Sequence, residues 1–492
     1  MLIELDGHGP LYLQLYRAVK ALILSGVLSE GQKLPPTRQL AKQLSVSRNV
    51  VMLGYDQLKA EGYVVGGFGS GTRVVELLPE DRVHGSIGRE AKQTESFEPA
   101  PISEQAEIAL GYWRERAKLN QDQHRSLRYD FRYGDIEVDT QSIKIWKQLS
   151  SRLFTKSVHQ YADPQGDWLL RDKVAEHLNQ LRGCHCSAGQ IAIVNGSQQA
   201  LDIIARLFIA NSETVIVEEP GYQAARAVFQ AAGAKIHSIA VDQDGMQTEK
   251  LPVRPGSARL AYVTPSHQFP TGAILSLARR LALLEWAAQS QAYIIEDDYD
   301  SEFRFEGRPI SALQGLDYRG RTLYVGTFSK VLFPALRIGY VVLPPNLVEP
   351  FIALRWHADR HTNTHQQRVL AEFIAQGHYE RHLRRMRKRY EGRRQRLITL
   401  LETHFGTALE LQGTNAGLHL MVQFKDRILK TKEAEILKAA SAAGLGIYPA
   451  SPLYQTPPDR LGLLFGYGAI DESEIEPGIL LLKQVIESFQ QA

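Results

Sequence analysis

Cysteine is almost absent from this 492-residue chain: Cys184 and Cys186, in GCHCSAG, are the only two. A C-x-C with only His185 nearby lacks zinc-site spacing, so the pair reads as reduced, incidental thiols of a cytosolic protein. Long apolar runs are missing as well. No stretch of about 18 uncharged apolar residues occurs, which predicts no membrane span. The N-terminus, MLIELDGHGP, has no basic start followed by an apolar segment, so no signal peptide is expected. Net charge is scarce, at +3, and unevenly placed. Residues 1–75 carry eight Lys and Arg against five Asp and Glu, and the rest of the chain balances at 49 of each. The whole excess therefore points to an anionic partner of the N-terminal segment. Length suggests about three folding units.

What is present in that segment is strongly patterned. LYLQLYRAVKALILSG places Leu11, Leu15, Val19, Leu22 and Ile23 at helical spacing, with Gly26 as a stop. KLPPTRQLAKQL starts a short helix after two prolines. In SVSRNVVMLGYDQLKAEGY, Val51, Gly54, Tyr55 and Leu58 share an inward face, leaving Ser47, Arg48 and Asn49 on the exposed first turn. VVGGFGSGTRVV reads as a small hairpin whose glycine-rich turn includes Gly69. It lacks the Gly-Lys-Ser/Thr ending of a phosphate loop.

Three helices and a hairpin make a winged helix-turn-helix, whose third helix reads the major groove. Arg48 suits guanine O6 and N7, and Asn49 suits adenine. Arg38, opening the second helix, would lie near the DNA backbone, with Gly69 in the wing. LPPTRQLAKQLSVSRNVVMLGYDQLKAEGY resembles the GntR-family DNA-binding pattern LPxxRxLAxxLxVSRxTVxxAYxxLxxEGY. That resemblance implies double-stranded operator DNA as partner. Val50 stands where the family often has threonine, so one hydroxyl contact to phosphate is missing and base readout falls to Arg48 and Asn49.

Residues 76–125 read as a polar linker, with a helix expected in EIALGYWRERAKL. Residues 126–492 then alternate apolar runs (IAIVNG, TVIVEEPG, ARLAYVTPS, AYIIEDDYD, RTLYVGTFSK) with helical segments. That alternation predicts an α/β fold around a mostly parallel sheet. Ligands of such sheets bind at the carboxyl ends of the strands. The residues there form a set. Ser197 and Gln198 open a helix after Gly196, suiting a phosphate. Tyr222 could cover a flat ring, Asp297 and Tyr299 follow the acidic strand, and Thr327, Ser329, Lys330 and Arg337 follow the last run. A phosphate cradle, a stacking ring, a carboxylate, a phenol and a lysine are what pyridoxal phosphate needs. Lys330 would form a Schiff base, Asp297 would keep the ring nitrogen protonated, Tyr299 would bond the ring oxygen, and Arg337 would grip the phosphate. EDDYDSE lacks EF-hand spacing, so no metal is expected.

From about Tyr129 onward the chain resembles a fold-type I aminotransferase, through SKVLFPALRIGY and, in the family's order, YADPQGDWLLR, GSQQAL, EEPGY and FPTG. The resemblance implies a large mostly parallel-sheet subdomain, a small C-terminal α+β subdomain and a homodimer in which Tyr161 reaches the neighbouring subunit's phosphate site. GntR-like and aminotransferase-like halves on one chain resemble the MocR/GabR group of regulators, which implies a cytoplasmic sensor of an amino acid, an amine or pyridoxal phosphate itself.

Two departures bear on function. The aminotransferase Asn-Pro-Thr-Gly is here Phe269-Pro270-Thr271-Gly272, so Tyr299 would serve the ring oxygen alone or with His267, a change that favours a sensor. The arginine expected to hold an amino acid's carboxylate is replaced near Gly466-Tyr467 by Leu464 and Phe465, leaving only Arg460 upstream as a candidate. The basic stretch His378–Arg396 is read as a solvated helix with acidic neighbours rather than a second DNA surface. Two other readings stand beside the sensor: an aminotransferase with an auxiliary DNA-binding domain, and a DNA-binding protein using the aminotransferase shell only to dimerise.

Overall fold

The computed structural model describes residues 3–67, 71–76, 101–121, 127–154, 161–210, 212–307 and 310–490. The chain divides into two units, Met1–Ala100 and Pro101–Ala492.

In the first unit, Leu11–Leu24 (α1), Thr37–Leu44 (α2) and Arg48–Ala60 (α3) precede an antiparallel hairpin of Val64–Gly67 (β1) and Gly71–Val74 (β2). The core is Leu15, Val19, Ile23, Leu28, Leu34, Leu40, Val51, Tyr55 and Leu58 with the hairpin's Val64 and Val74. The inward face expected for α3 is observed in full. On α1 the buried stripe is Gln14, Leu15, Val19 and Ile23. Leu11, expected inward, is 46% exposed, because it opens the helix one turn before the stripe meets the core.

The second unit is built on an eight-stranded sheet. Its strands are Ile191–Val194 (β4), Thr214–Glu219 (β5), Lys235–Asp242 (β6), Gly245–Met246 (β7), Leu260–Val263 (β8), Tyr293–Asp298 (β9), Thr322–Thr327 (β10) and Gly339–Val342 (β11). They lie in the order β4-β11-β10-β9-β8-β5-β6-β7. Neighbours from β10 through β6 pair in parallel. β11 pairs antiparallel with both β10 and β4, so β4 runs with the parallel set. The five apolar runs read from the sequence are β4, β5, β8, β9 and β10; β11 returns from the lysine turn and separates β4 from β10. The central strand β10 and the terminal strand β4 are both buried throughout, which is why they read as continuous apolar runs rather than alternating ones.

A four-stranded antiparallel sheet, in the order Leu409–Gln412 (β12), His419–Phe424 (β13), Gly462–Gly466 (β16), Tyr448–Pro449 (β15), forms the smaller C-terminal layer. Tyr129–Asp130 (β3) pairs in parallel with Leu445–Gly446 (β14). This pairing ties the start of the unit to its end, and Gly466 N–H donates to the Phe131 carbonyl (2.8 Å). The helix expected in EIALGYWRERAKL is Glu104–Gln121, within the second unit. Among the described residues no helix is long and apolar enough to cross a membrane.

The basic helix is His378–Phe405. Its arginines meet acids from elsewhere: Arg385 reaches Asp139, Arg389 and Arg393 reach Glu137, and Arg394 reaches Glu306. The expected acidic neighbours are there. The expected full solvation is not, since Arg393 and Arg394 are buried. Paired in this way, these four arginines pack the helix against the rest of its unit.

Candidate functional site

Strand alternation sorts the acidic run Glu296-Asp297-Asp298 at the end of β9. Glu296 accepts from the Leu313 and Gln314 N–H groups (2.7 and 2.8 Å). Asp298 accepts from Arg182 (2.8 Å) and from the Tyr324 hydroxyl. Both carboxylates are consumed by the fold. Asp297 points the other way: its Oδ2 accepts from the Tyr262 hydroxyl (2.7 Å), while its Oδ1 is buried with no hydrogen-bond partner among the described residues. Burial pushes the Asp297 carboxyl up to about 7, against the opposing pull of Tyr262. A buried carboxylate oxygen left open is the complement of a cationic N–H.

Lys330 ends the turn after β10. Its half-buried Nζ donates to the Gly134 carbonyl (2.7 Å). Gly134 has φ +85°, and a Cβ there would lie 2.7 Å from Nζ, so the amine sits against bare backbone. Thr327 Oγ1 accepts from the Ser329 N–H (3.2 Å) and so holds the turn, whereas Ser329 Oγ is buried without a partner among the described residues.

At the end of β4, Gly196 takes φ +83° and caps the helix Ser197–Phe208 (α4). Its first N–H groups, Ser197 and Gln198 among them, have no intrahelical acceptor and offer an anion site with the helix dipole behind it. Asp359 braces this loop by accepting from Asn195 and Gln199 (2.8 and 2.7 Å). Arg337, in the left-handed region at φ +51°, folds its guanidinium back over Gly196, where a Cβ would lie 2.7 Å from Nη2. A cleft of about 450 Å³, lined by Asn195, Phe333, Arg337 and Thr362 among others, opens beside it. Open carboxylate oxygen, open hydroxyl, amine, helix N-terminus and guanidinium lie along one sheet edge. These groups fit the pyridoxal phosphate expected from the sequence.

Tyr222 precedes the helix Gln223–Ala231 (α5), its ring edge-on to Phe269 at 5.9 Å. Phe269 is an aromatic hub, 5.7 Å from Tyr133, 6.2 Å from Tyr299 and 5.3 Å from His419. The position that lost its amide has become part of an apolar wall. Tyr299 and His267 are brought together, hydroxyl to Nδ1, at 3.1 Å. Tyr161 is 81% exposed, with Arg360 5.6 Å over its ring. Arg460 pairs with Glu410 (3.9 Å) on the outer strand β12, and the carboxylate-anchor role considered for it gains no support from that contact.

Sequence reasoning missed Gly134, Tyr262, Asp300 and His419. RYGD at the start of the unit was the signal for Gly134; a tyrosine inside an otherwise apolar strand was the signal for Tyr262.

In the first unit, Arg38, Arg48 and Asn49 are exposed on the opening turns of α2 and α3. Ser47 caps α3, its Oγ accepting from the Val50 N–H (3.3 Å). Gly69 lies outside the described residues. Arg48→Ala is expected to cost about 1–3 kcal/mol of operator binding and to relax preference at one base; Arg38→Ala should weaken all sequences alike and lower the salt slope by about 1. Fluorescence anisotropy over single-base operator variants at several salt concentrations separates the two.

Residues 129–448 match the family described as aminotransferase class I and II, and residues 11–74 match bacterial regulatory proteins of the gntR family. The chain is 36% identical to the probable rhizopine catabolism regulatory protein MocR of Rhizobium meliloti, over 98% of this chain and 95% of that protein. It is 35% identical to the HTH-type transcriptional regulator YdeL of Bacillus subtilis, over 96% of each. Among solved structures it resembles the Pyrococcus horikoshii kynurenine aminotransferase, at 25% identity and a TM-score of 0.70, covering 83% of this chain and all of that one.

Proposed function

As this chain belongs to the MocR-type regulators, a gntR-family DNA-binding unit joined to an aminotransferase class I and II unit, we propose that occupancy of the Lys330 site sets its affinity for an operator. The protein is a pyridoxal-phosphate-dependent, DNA-binding transcriptional regulator. One observation carries the coupling: a single polypeptide keeps both the exposed Arg48–Asn49 turn and the complete donor set around Lys330.

When bound, pyridoxal phosphate supplies an aldehyde that captures amines and a ring that withdraws electrons from them. The chain's residues divide the work of holding it. Ser197, Gln198, Ser329 and Arg337 would take the phosphate; Asp297 Oδ1 would accept the ring N–H; Tyr222 and Phe269 would wall the ring; Tyr299 would donate to the ring oxygen. Lys330 Nζ would hold the aldehyde and give it up to an incoming amine. That amine, the proposed effector, is an amino acid or a simple amine, with the cofactor itself as the other candidate. The exposed Tyr161 and Arg360 suit a homodimer in which each subunit completes its neighbour's phosphate site. The protein would act in the cytoplasm, where the operator is.

An intact lysine and carboxylate also suit turnover, so the alternative is a working aminotransferase. One experiment decides: visible absorption of the loaded protein through a panel of amines and amino acids, with operator binding and oxo-acid product followed in parallel. A spectral change with a 5–150-fold shift in DNA affinity, about 1–3 kcal/mol, and no sustained product supports the sensor. Steady product with unchanged DNA affinity overturns it.

A further inference from the structure

Asp300, just beyond β9, is not explained by the assignments above. Its Oδ2 lies 3.0 Å from His267 Nδ1, and the Tyr299 hydroxyl lies 3.1 Å from the same nitrogen. The imidazole and the carboxyl are 2% and 1% exposed. His267 Nε2 is buried and has no hydrogen-bond partner among the described residues, so the ring's tautomer is decided at Nδ1.

One nitrogen cannot donate to the carboxylate and also accept from the phenol. An ionised carboxylate only accepts. A bare Nδ1 at 3.0 Å would set two lone pairs against each other, so Asp300 holds the hydrogen on Nδ1. The Tyr299 oxygen can then be no more than a second acceptor of that N–H, and its own hydrogen turns away from the imidazole. Resting on the cofactor reading above, we propose that Asp300 and His267 are positioning residues that keep the Tyr299 hydroxyl a donor toward the cofactor's ring oxygen. They replace the asparagine whose place Phe269 occupies.

The surroundings agree. Burial, together with the carboxyls of Asp300, Asp297, Glu218 and Asp298, keeps Tyr299 protonated and therefore able to donate. Burial, helped by the Asp298 carboxyl, raises Asp300; His267 and, more weakly, Lys330 pull against it and favour the ionised form. His419, its ring 5.3 Å from that of His267, is pushed down to about 3 by burial and stays neutral. Its Nε2 is 3.0 Å from the Pro270 carbonyl, so its proton belongs there and does not compete for Asp300.

A donor at the ring oxygen favours the oxygen's anionic form, so losing the donor raises the pH midpoint of the bound cofactor's visible band. Tyr299→Phe and Asp300→Asn should each raise that midpoint by about one pH unit, tenfold in proton affinity. The double variant should move no further than Tyr299→Phe alone, because Asp300 acts through that hydroxyl. An unmoved midpoint in Asp300→Asn, or an effect that adds to Tyr299→Phe, overturns the proposal. Should Asp300→Asn not fold, His267→Asn is held to the same two criteria. Nitrogen NMR of the histidine ring in the cofactor-free protein keeps the two readings apart. A wild type without a Lys330-dependent band defeats the cofactor reading, and the ring spectrum then decides this inference alone: Nδ1–H supports it and Nε2–H overturns it.

Discussion

Lys330→Ala is expected to abolish the visible band that the wild-type protein acquires with pyridoxal phosphate and to weaken cofactor retention about a hundredfold, about 2.8 kcal/mol. The reasoning begins with cost. An ammonium at the end of a buried strand loses hydration and is kept only where something uses it. Here Nζ has the Gly134 carbonyl at 2.7 Å, reached across 196 residues of sequence, and the nearby carboxyl of Asp300. Alanine removes the amine and leaves the neighbours in place: Asp297 Oδ1, Ser329 Oγ and Arg337 still offer themselves to the ring nitrogen and the phosphate. The variant should therefore fold, retain weak non-covalent binding of the cofactor, bind operator DNA and fail to respond to amines. A variant that kept the band would mean that another amine holds the aldehyde.

Asp297→Asn should change sign with the cofactor. Without cofactor, burial holds the folded carboxyl at about 7 against an ordinary value of 3.8. Between those values the native state keeps a proton that the unfolded chain has lost. The stability this contributes is full below about pH 4 and disappears as pH climbs through 7. Asparagine removes the dependence, so cofactor-free Asp297→Asn should match wild type near pH 4 and exceed it at pH 8, on the order of 2–4 kcal/mol. Glu218, also buried and raised to about 7, contributes a slope of the same sign and remains in the variant, so the variant's profile is shallower rather than flat. With cofactor the order reverses. A ring N–H⁺ against Oδ1 is a buried pair, and breaking such a pair costs about 3–5 kcal/mol. Thermal melts at the two pH values, with and without cofactor, give the four numbers needed. An Asp297→Asn protein that gained as much from the cofactor as wild type would remove Asp297 from the site.

Much of this was legible in the sequence. The winged segment, the alternation of apolar strand and helix, and the order Ser197, Tyr222, Asp297, Lys330, Arg337 follow from patterns only a few residues long. What could not be read was which of several similar groups is free to act. Three consecutive acids look alike in Glu296-Asp297-Asp298, yet the fold consumes two and leaves one oxygen of the third open. Ser47 and Arg48 are adjacent on one exposed turn, yet the serine oxygen caps its own helix while Arg48 Nε reaches Thr37 Oγ1 (3.4 Å) at the start of α2.

By itself, then, the sequence determined the elements, the two families of motif and the chemistry they carry, because helix and strand periods and turn residues are local properties of the chain. Only tertiary structure decided the rest: that β11 intervenes between β4 and β10, that Gly134 faces Lys330, that Arg385, Arg389, Arg393 and Arg394 of the basic helix are paired with distant acids, and that Asp300 reaches Tyr299 through His267. These depend on which distant segments close on one another and which polar groups lose water when they do. Burial then determines whether a carboxylate, hydroxyl or imidazole is held by the fold or left open for a ligand.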